Sequence, residues 1–120
     1  MAELKDLLGK TMASVENVND EELVFTTTEG KRYKLHHDQD CCESVTIESI
    51  VGDLADLVGE PLLVAEESTS DKNPEGVTKE YQDSFTWTFY KFATRKGYVD
   101  VRWYGESNGY YSEGVDFADA

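Results

Sequence analysis

The feature that most limits what this chain can fold into is a pair of long alternating segments near its C-terminus. FTWTFYKFAT runs from Phe85 to Thr94, and YVDVRWYGES follows from Tyr98 to Ser107. Both place threonine, valine and aromatic residues in period two, the signature of strands with two unlike faces. Lys96-Gly97 between them reads as a two-residue turn, and Asn108-Gly109 is a strong hairpin signal before YYSEGVDF. The expectation is a three-stranded antiparallel unit over residues 81–117, with Arg95 opposite Tyr98 and Ser107 opposite Tyr110. On that register Tyr90, Phe92, Val99, Val101 and Trp103 share a core face. Phe85, Trp87, Phe89, Tyr98, Tyr104, Tyr111, Val115 and Phe117 occupy the other, interrupted by Lys91, Asp100, Arg102, Glu106 and Glu113.

The rest of the chain carries similar but shorter signals. Leu4, Leu7 and Leu8 have helical spacing and Gly9 follows as a cap, so residues 3–8 read as a short helix. Residues 11–35 read as a β-meander with a turn at Glu29-Gly30, residues 36–43 as a polar connection, and residues 44–69 as strand, helix, strand. The central helix takes Asp53 as its N-cap, with Gly59 past its end and Pro61 beyond. SDKNPEGVTKE, residues 70–80, reads as a surface loop. Together these give one α+β domain over residues 1–120, dominated by an antiparallel sheet, with short N-terminal and central helices. A chain of 120 residues is long enough to build a core without metal or disulfide staples.

Charge narrows the classes of function. Twenty-five acidic residues against 11 basic give a net −14, with 14 of the acids in the first sixty residues and 11 in the rest, so the acidity is not a tail. Such a field repels phosphate backbones and anionic membranes, which argues against direct DNA or RNA binding and against a membrane partner. The N-terminus lacks the basic and apolar segments of a secretory signal, and no apolar run approaches the length of a bilayer span. A cytoplasmic location is expected. Cys41 and Cys42 are adjacent, and because a bridge between neighbours closes a strained ring, reduced thiols are the expectation.

Chemistry-bearing residues crowd into LHHDQDCCESV, residues 35–45. Imidazole and thiolate suit zinc, so any metal site would draw on His36, His37, Asp38, Cys41 and Cys42, but their spacing matches no finger, metallohydrolase or calcium-loop pattern. A cysteine nucleophile would need a base and an oxyanion cradle, and no such motif stands beside it. The simpler reading is a structural corner in which Asp38 and Asp40 bond backbone amides, one cysteine packs inward and one histidine satisfies a buried partner. No catalytic residue and no cofactor are assigned. A second cluster lies on the aromatic face, where Lys91 and Arg102 would oppose each other on neighbouring strands and call for a compensating anion. A local carboxylate such as Asp100 or Glu113 would serve. So would a ligand held by Lys91, Arg95 and Arg102, with Trp87, Tyr104, Tyr110 or Tyr111 stacking on a ring.

HHDQDCCESVTIESIVGDLADLVGEPLLVAEE, followed by TWTFYKFATRKGYVDVRWYGESNGYYSEGVDF, resembles a family of small proteins of unknown function recurrent in bacteriophage and prophage genomes, over about residues 20–118. The resemblance carries no catalytic residues. It implies a context in which small acidic accessory proteins bind host proteins, including antiviral defence factors, or sequester nucleotide signals. The expected function is therefore noncatalytic binding and inhibition of a host protein, in the host cytoplasm if the chain is phage-encoded. Asp38, Asp40 and Glu43, or the acids around Glu106 and Glu113, would imitate phosphates toward a basic groove. The alternatives are a small-ligand binder or nucleotide sponge lined by Arg95, Arg102 and the tyrosines, and a metal or thiol enzyme on the HHDQDCC segment. A homo-oligomer is compatible with all three.

Overall fold

A computed structural model of the chain describes residues 2–74, 84–109 and 111–120. Among these described residues eight strands form two four-stranded antiparallel sheets around one core. The first sheet contains β1 (Met12–Val18), β2 (Glu22–Thr27), β3 (Arg32–His36) and β8 (Asp116–Asp119) in the order β1-β2-β3-β8. The second contains β4 (Ser44–Val51), β5 (Val64–Ser70), β6 (Ser84–Thr94) and β7 (Gly97–Ser107) in the order β4-β7-β6-β5. The expected meander is therefore present as β1-β2-β3. The α+β expectation is corrected in its helical part, because each expected helix is a single 3-10 turn, Leu4–Leu7 and Leu54–Leu57.

The helices stay short because the chain just past the C-terminal end of each is caught by the chain just past the end of the other. Gly9 donates to the Leu62 carbonyl and Leu62 to that of Lys10, while bridges join Thr11 to Pro61 and Met12 to Val58. Each segment is left only four residues, too few for a sequence of i to i+4 bonds. The local signals still operate: Asp53 caps the amide of Ala55 at 2.9 Å, and Leu7 and Leu57 are fully buried.

Alternation along each strand builds the core. Val15, Leu23, Phe25, Tyr33 and Leu35 of the first sheet meet Val45, Ile47, Tyr90, Phe92, Val99, Val101 and Trp103 of the second in one continuous cluster. Phe25 and Phe92 touch across the interior with ring centroids 5.2 Å apart. The expected core face of β6 and β7 is thus the observed one, although the register differs. The turn residues are Arg95 and Lys96 rather than Lys96 and Gly97, so Thr94 pairs with Gly97 and Phe92 with Val99. Every partner moves by two residues, and because the side-chain period is two, the faces survive while the pairs change.

One pairing from the sequence is overturned. Asn108-Gly109 turns the chain, with Gly109 in the left-handed region at φ 92°, but among the described residues the segment after it adds no strand to β7. Both edges of β7 are already occupied, by β6 and β4, so the chain crosses to the open edge of β3 and pairs there, Leu35 with Phe117 and His36 with Asp116. Phe117 accordingly stacks on Tyr33 at 5.4 Å instead of joining the aromatic face of β6 and β7. Residues 75–83, including part of the expected surface loop, and Tyr110 with its expected pairing lie outside the described residues.

The crossover passes so close to β7 that only glycine fits beneath it. A Cβ on Gly105 would lie 2.3 Å from the carbonyl oxygen of Glu113. Gly105→Ala is expected to destabilise the fold by about 2 kcal/mol or more, the scale of an overpacked interior, read from the midpoint of urea unfolding.

Candidate functional site

The HHDQDCC segment leaves β3 and returns as β4, and its geometry is organised by Glu43. This carboxylate is 4 % exposed, so it needs donors in place of water. It accepts from the backbone N–H of Asp40 at 3.0 Å and of Cys41 at 2.9 Å, from Gln39 Nε2 at 3.1 Å, and from His37 Nε2 at 2.9 Å. Burial alone would push the Glu43 carboxyl up. The amide of Cys41, the His37 ring and the amide of Asp40 outweigh it and hold the group at about 2.

His37 completes the arrangement. Its Nδ1 lies 2.8 Å from the carbonyl oxygen of Gly114 and its Nε2 faces Glu43. Both partners are acceptors, so both ring nitrogens must carry protons and the ring is an imidazolium. Burial opposes that charge, while the bonds to Glu43 and Gly114 favour it, and the His37 pKa is raised. The bond to Gly114 ties the end of β3 to the crossover that leads into β8.

A second buried carboxylate anchors the same crossover. Glu113 accepts from the Thr86 hydroxyl at 2.9 Å and from the Ser107 hydroxyl. Burial raises its pKa, but the hydroxyls of Ser107, Ser84 and Thr86 prevail and lower it. Glu43 and Glu113 therefore cannot present charge to a partner, which corrects the expectation that they imitate phosphates. Asp38, with its side chain 85 % exposed, and exposed Asp40 keep that capacity.

The structural-corner reading fits in outline and differs in detail. One histidine does satisfy a buried partner, but Glu43, rather than Asp38 or Asp40, takes the backbone amides. Cys41 and Cys42 are both exposed, and their sulfurs are joined as a disulfide instead of remaining thiols, in a bend held by the Glu43 bonds to Asp40 and Cys41. The metal set of the sequence is not assembled. His37 has both nitrogens engaged and the cysteines are bonded to each other. The ligating atoms that do converge, within 4.8 Å, belong to His36, Asp38 and Asp116. Asp116 arrives through the β3–β8 register, which local spacing does not reveal. His36 bonds Asp38 through Nε2 at 3.1 Å, and its buried Nδ1 has no partner among the described residues. A metal on Nε2 would force the ring proton onto Nδ1, where no acceptor stands, so the outer support that ligating histidines use is missing.

The aromatic cluster is rearranged too. On the outer face of the second sheet, side chains align in rows across the strands. Val51, Asp100, Lys91 and Glu66 form one row, and Ser49, Arg102, Phe89 and Ser68 the next. Lys91 thus faces Asp100 and Glu66 rather than Arg102, and its ammonium lies 5.7 Å from the Tyr98 ring centroid. Arg102 bonds Glu48 at 2.6 Å and stacks 5.1 Å over Trp87. The like-charge conflict inferred from sequence does not exist, because the two-residue shift places a carboxylate opposite the lysine. Arg95 is at the turn, 3.7 Å from Glu60, and is not among the residues lining the cleft of this face.

Trp87 is fully buried and donates through Nε1 to Asn73 at 3.0 Å; Tyr104 is 9 % exposed and packs on Trp87 with centroids 4.6 Å apart. Both are dry, so neither stacks a ligand. Tyr111 is half-buried and engaged within the protein. What remains open on this face is a cleft of about 490 Å³, which includes Ser49, Val51, Glu66, Ser68, Phe89 and Lys91 in its lining. It exists because the row through Phe89 ends in serine on both edge strands, while the adjoining row ends in Val51 and Glu66. A smaller polar cleft of about 320 Å³ adjoins His36, His37 and Glu43.

The charged corner fixes how stability depends on pH. Glu43 contributes fully above 4.5, the ordinary carboxylate value, and its contribution is lost as pH falls from there toward about 2. His37 contributes fully below 6.5, and its contribution is lost as pH rises through its raised folded value. A stability plateau between roughly pH 4.5 and 6.5 is expected from thermal melts. Glu43→Gln should lower the melting temperature by roughly 10 °C or more, because it leaves a buried imidazolium without its counter-charge. The same change should move the His37 titration, followed by NMR, to lower pH.

No curated protein and no solved structure matches the chain. Among the described residues no helix is long and apolar enough to cross a membrane. A family model described as a domain of unknown function, DUF7448, matches residues 5–117, and the chain belongs to that family.

Proposed function

We propose that this protein acts by noncatalytic binding, as a small acidic accessory protein of the phage type that holds and inhibits a basic host protein in the host cytoplasm, an antiviral defence factor being the kind of target that context suggests. The observation that carries this reading is how the chemistry-bearing residues are used. His37, Glu43, Cys41 and Cys42 are committed to one another and to the backbone, and Glu113 is committed to hydroxyls. No nucleophile paired with a base is left in that segment. Meanwhile most of the acids that make the net charge −14 face solvent, including Asp38 and Asp40. A field of that sign accelerates encounter with a cationic surface and rejects nucleic acid.

The small-ligand reading draws support from the 490 Å³ cleft, whose size suits a small molecule. Its charges suit a nucleotide poorly. Arg102 is already bonded to Glu48, and Lys91 stands between Asp100 and Glu66, so a phosphate entering the cleft meets carboxylates beside each cation.

Capture of a host protein on the immobilised chain should weaken steeply as salt is raised from about 50 to about 500 mM, because screening shortens the reach of surface charge. Capture that is indifferent to salt would overturn the electrostatic reading. Nucleotides at about 100 times a micromolar dissociation constant are expected to leave the melting temperature unmoved, whereas a genuine nucleotide site would add about 2.7 kcal/mol.

A further inference from the structure

The cleft on the outer face of the second sheet suggests how a basic partner would be anchored, an inference that rests on the noncatalytic binding reading above. Phe89 lies half-buried in the cleft between Ser68 and Arg102, with Ser49 beyond Arg102 at the end of the row and Glu66, Lys91 and Asp100 in the adjoining row. Among the described residues neither serine hydroxyl makes a hydrogen bond, and neither Glu66 nor Asp100 has a cation within salt-bridge distance. The same face already shows what it does with a planar cation. The Arg102 guanidinium carbon sits 5.1 Å from the Trp87 ring centroid while its Nε donates to Glu48 at 2.6 Å. One row further Phe89, beside Arg102, offers a half-buried ring, and in the row after it Glu66 and Asp100 face Lys91 with no cation within salt-bridge distance among the described residues.

We propose that this cleft is the docking site for an arginine carried on an extended basic segment of a partner protein. Its guanidinium stacks on Phe89, donates a charge-assisted hydrogen bond to the carboxylate of Glu66 or Asp100, and fills the space left by the two serines. Arginine fits better than lysine because a planar, weakly hydrated fork can stack and pair at once, whereas a compact ammonium stays hydrated. Exposed Val51 and Tyr98, at 64 % and 67 %, flank the cleft and would pack against the apolar stems of the segment. The strongly negative field of the whole molecule brings the segment in, and the cleft sets which residue is held.

The test is fluorescence anisotropy with a capped, labelled decapeptide of alternating arginine and serine, and its lysine counterpart, on the full chain at low salt. The arginine peptide should bind about fivefold or more tighter than the lysine peptide. Ser68→Trp, which fills the cleft without altering charge, should weaken the arginine peptide by about tenfold, while Glu16→Gln, which removes one exposed acid from β1 in the other sheet, should change affinity by less than about twofold. Glu66→Gln provides a milder variant should Ser68→Trp melt early, and the Phe89 ring signals in NMR should shift on addition of the arginine peptide. Equal binding of the two peptides, or equal effects of Ser68→Trp and Glu16→Gln with Phe89 unmoved, overturns the cleft proposal while leaving salt-dependent partner capture intact. Absence of binding by either peptide also overturns it, and the host-protein capture experiment then decides separately whether the broader reading survives.

Discussion

A carboxylate buried in a protein of net charge −14 is the constraint around which one end of this fold is arranged. Glu43 has almost no access to water, and it remains ionised because two backbone amides, a glutamine and an imidazolium replace its hydration. Those donors come from the segment that leaves β3, so satisfying one side chain folds the whole connection into β4. His37 then extends the network to Gly114, a residue 77 positions away, and with it to the last strand. Without the charge on Glu43 the His37 imidazolium loses its counter-charge, and the network that ties the crossover to β3 is weakened at its centre.

Glu113 repeats the device with hydroxyls instead of a cation. Thr86 and Ser107 come from neighbouring strands of the second sheet, so the carboxylate fastens the crossover to the sheet it is leaving. Gly105 provides the clearance beneath it. The crossover is thus held to both sheets, which lets a strand of only four residues close the open edge of β3. Acids that a sequence reader places on a solvated surface serve here as interior fasteners. The crowded histidine, aspartate and cysteine motif is spent mainly on architecture.

The functional consequence is a division of labour between the two ends of the chain's chemistry. The motif with the most reactive residue types has little left to react with, whereas the outer face of the second sheet keeps an open cleft with more acids than bases in its lining. Its form follows from alternation on four strands. Serines at the two edges of one row leave a trough, and larger residues in the adjoining row give it a wall. A register shift of two residues decides its electrostatics, because Lys91 between Asp100 and Glu66 makes a net acidic row where Lys91 opposite Arg102 would have made an anion trap.

Much of the strand framework was legible in the sequence, since alternation, β-branched content and turn residues act within a few positions of one another. That is why the meander of β1 to β3, the β6–β7 hairpin and its core face of Tyr90, Phe92, Val99, Val101 and Trp103 follow from the chain alone. Helical spacing at Leu4 to Leu8 and Leu54 to Val58 was also visible. Whether it became α or 3-10 depended on how tightly distant residues such as Leu62 and Pro61 held the flanks. The final strand, the dryness of Trp87 and Tyr104, the burial of Glu43 and Glu113, and the meeting of His36 with Asp116 were decided only in three dimensions. Each depends on which sheet edge is free or which distant group supplies a donor, and a period-two pattern specifies the face of a strand without specifying its neighbour.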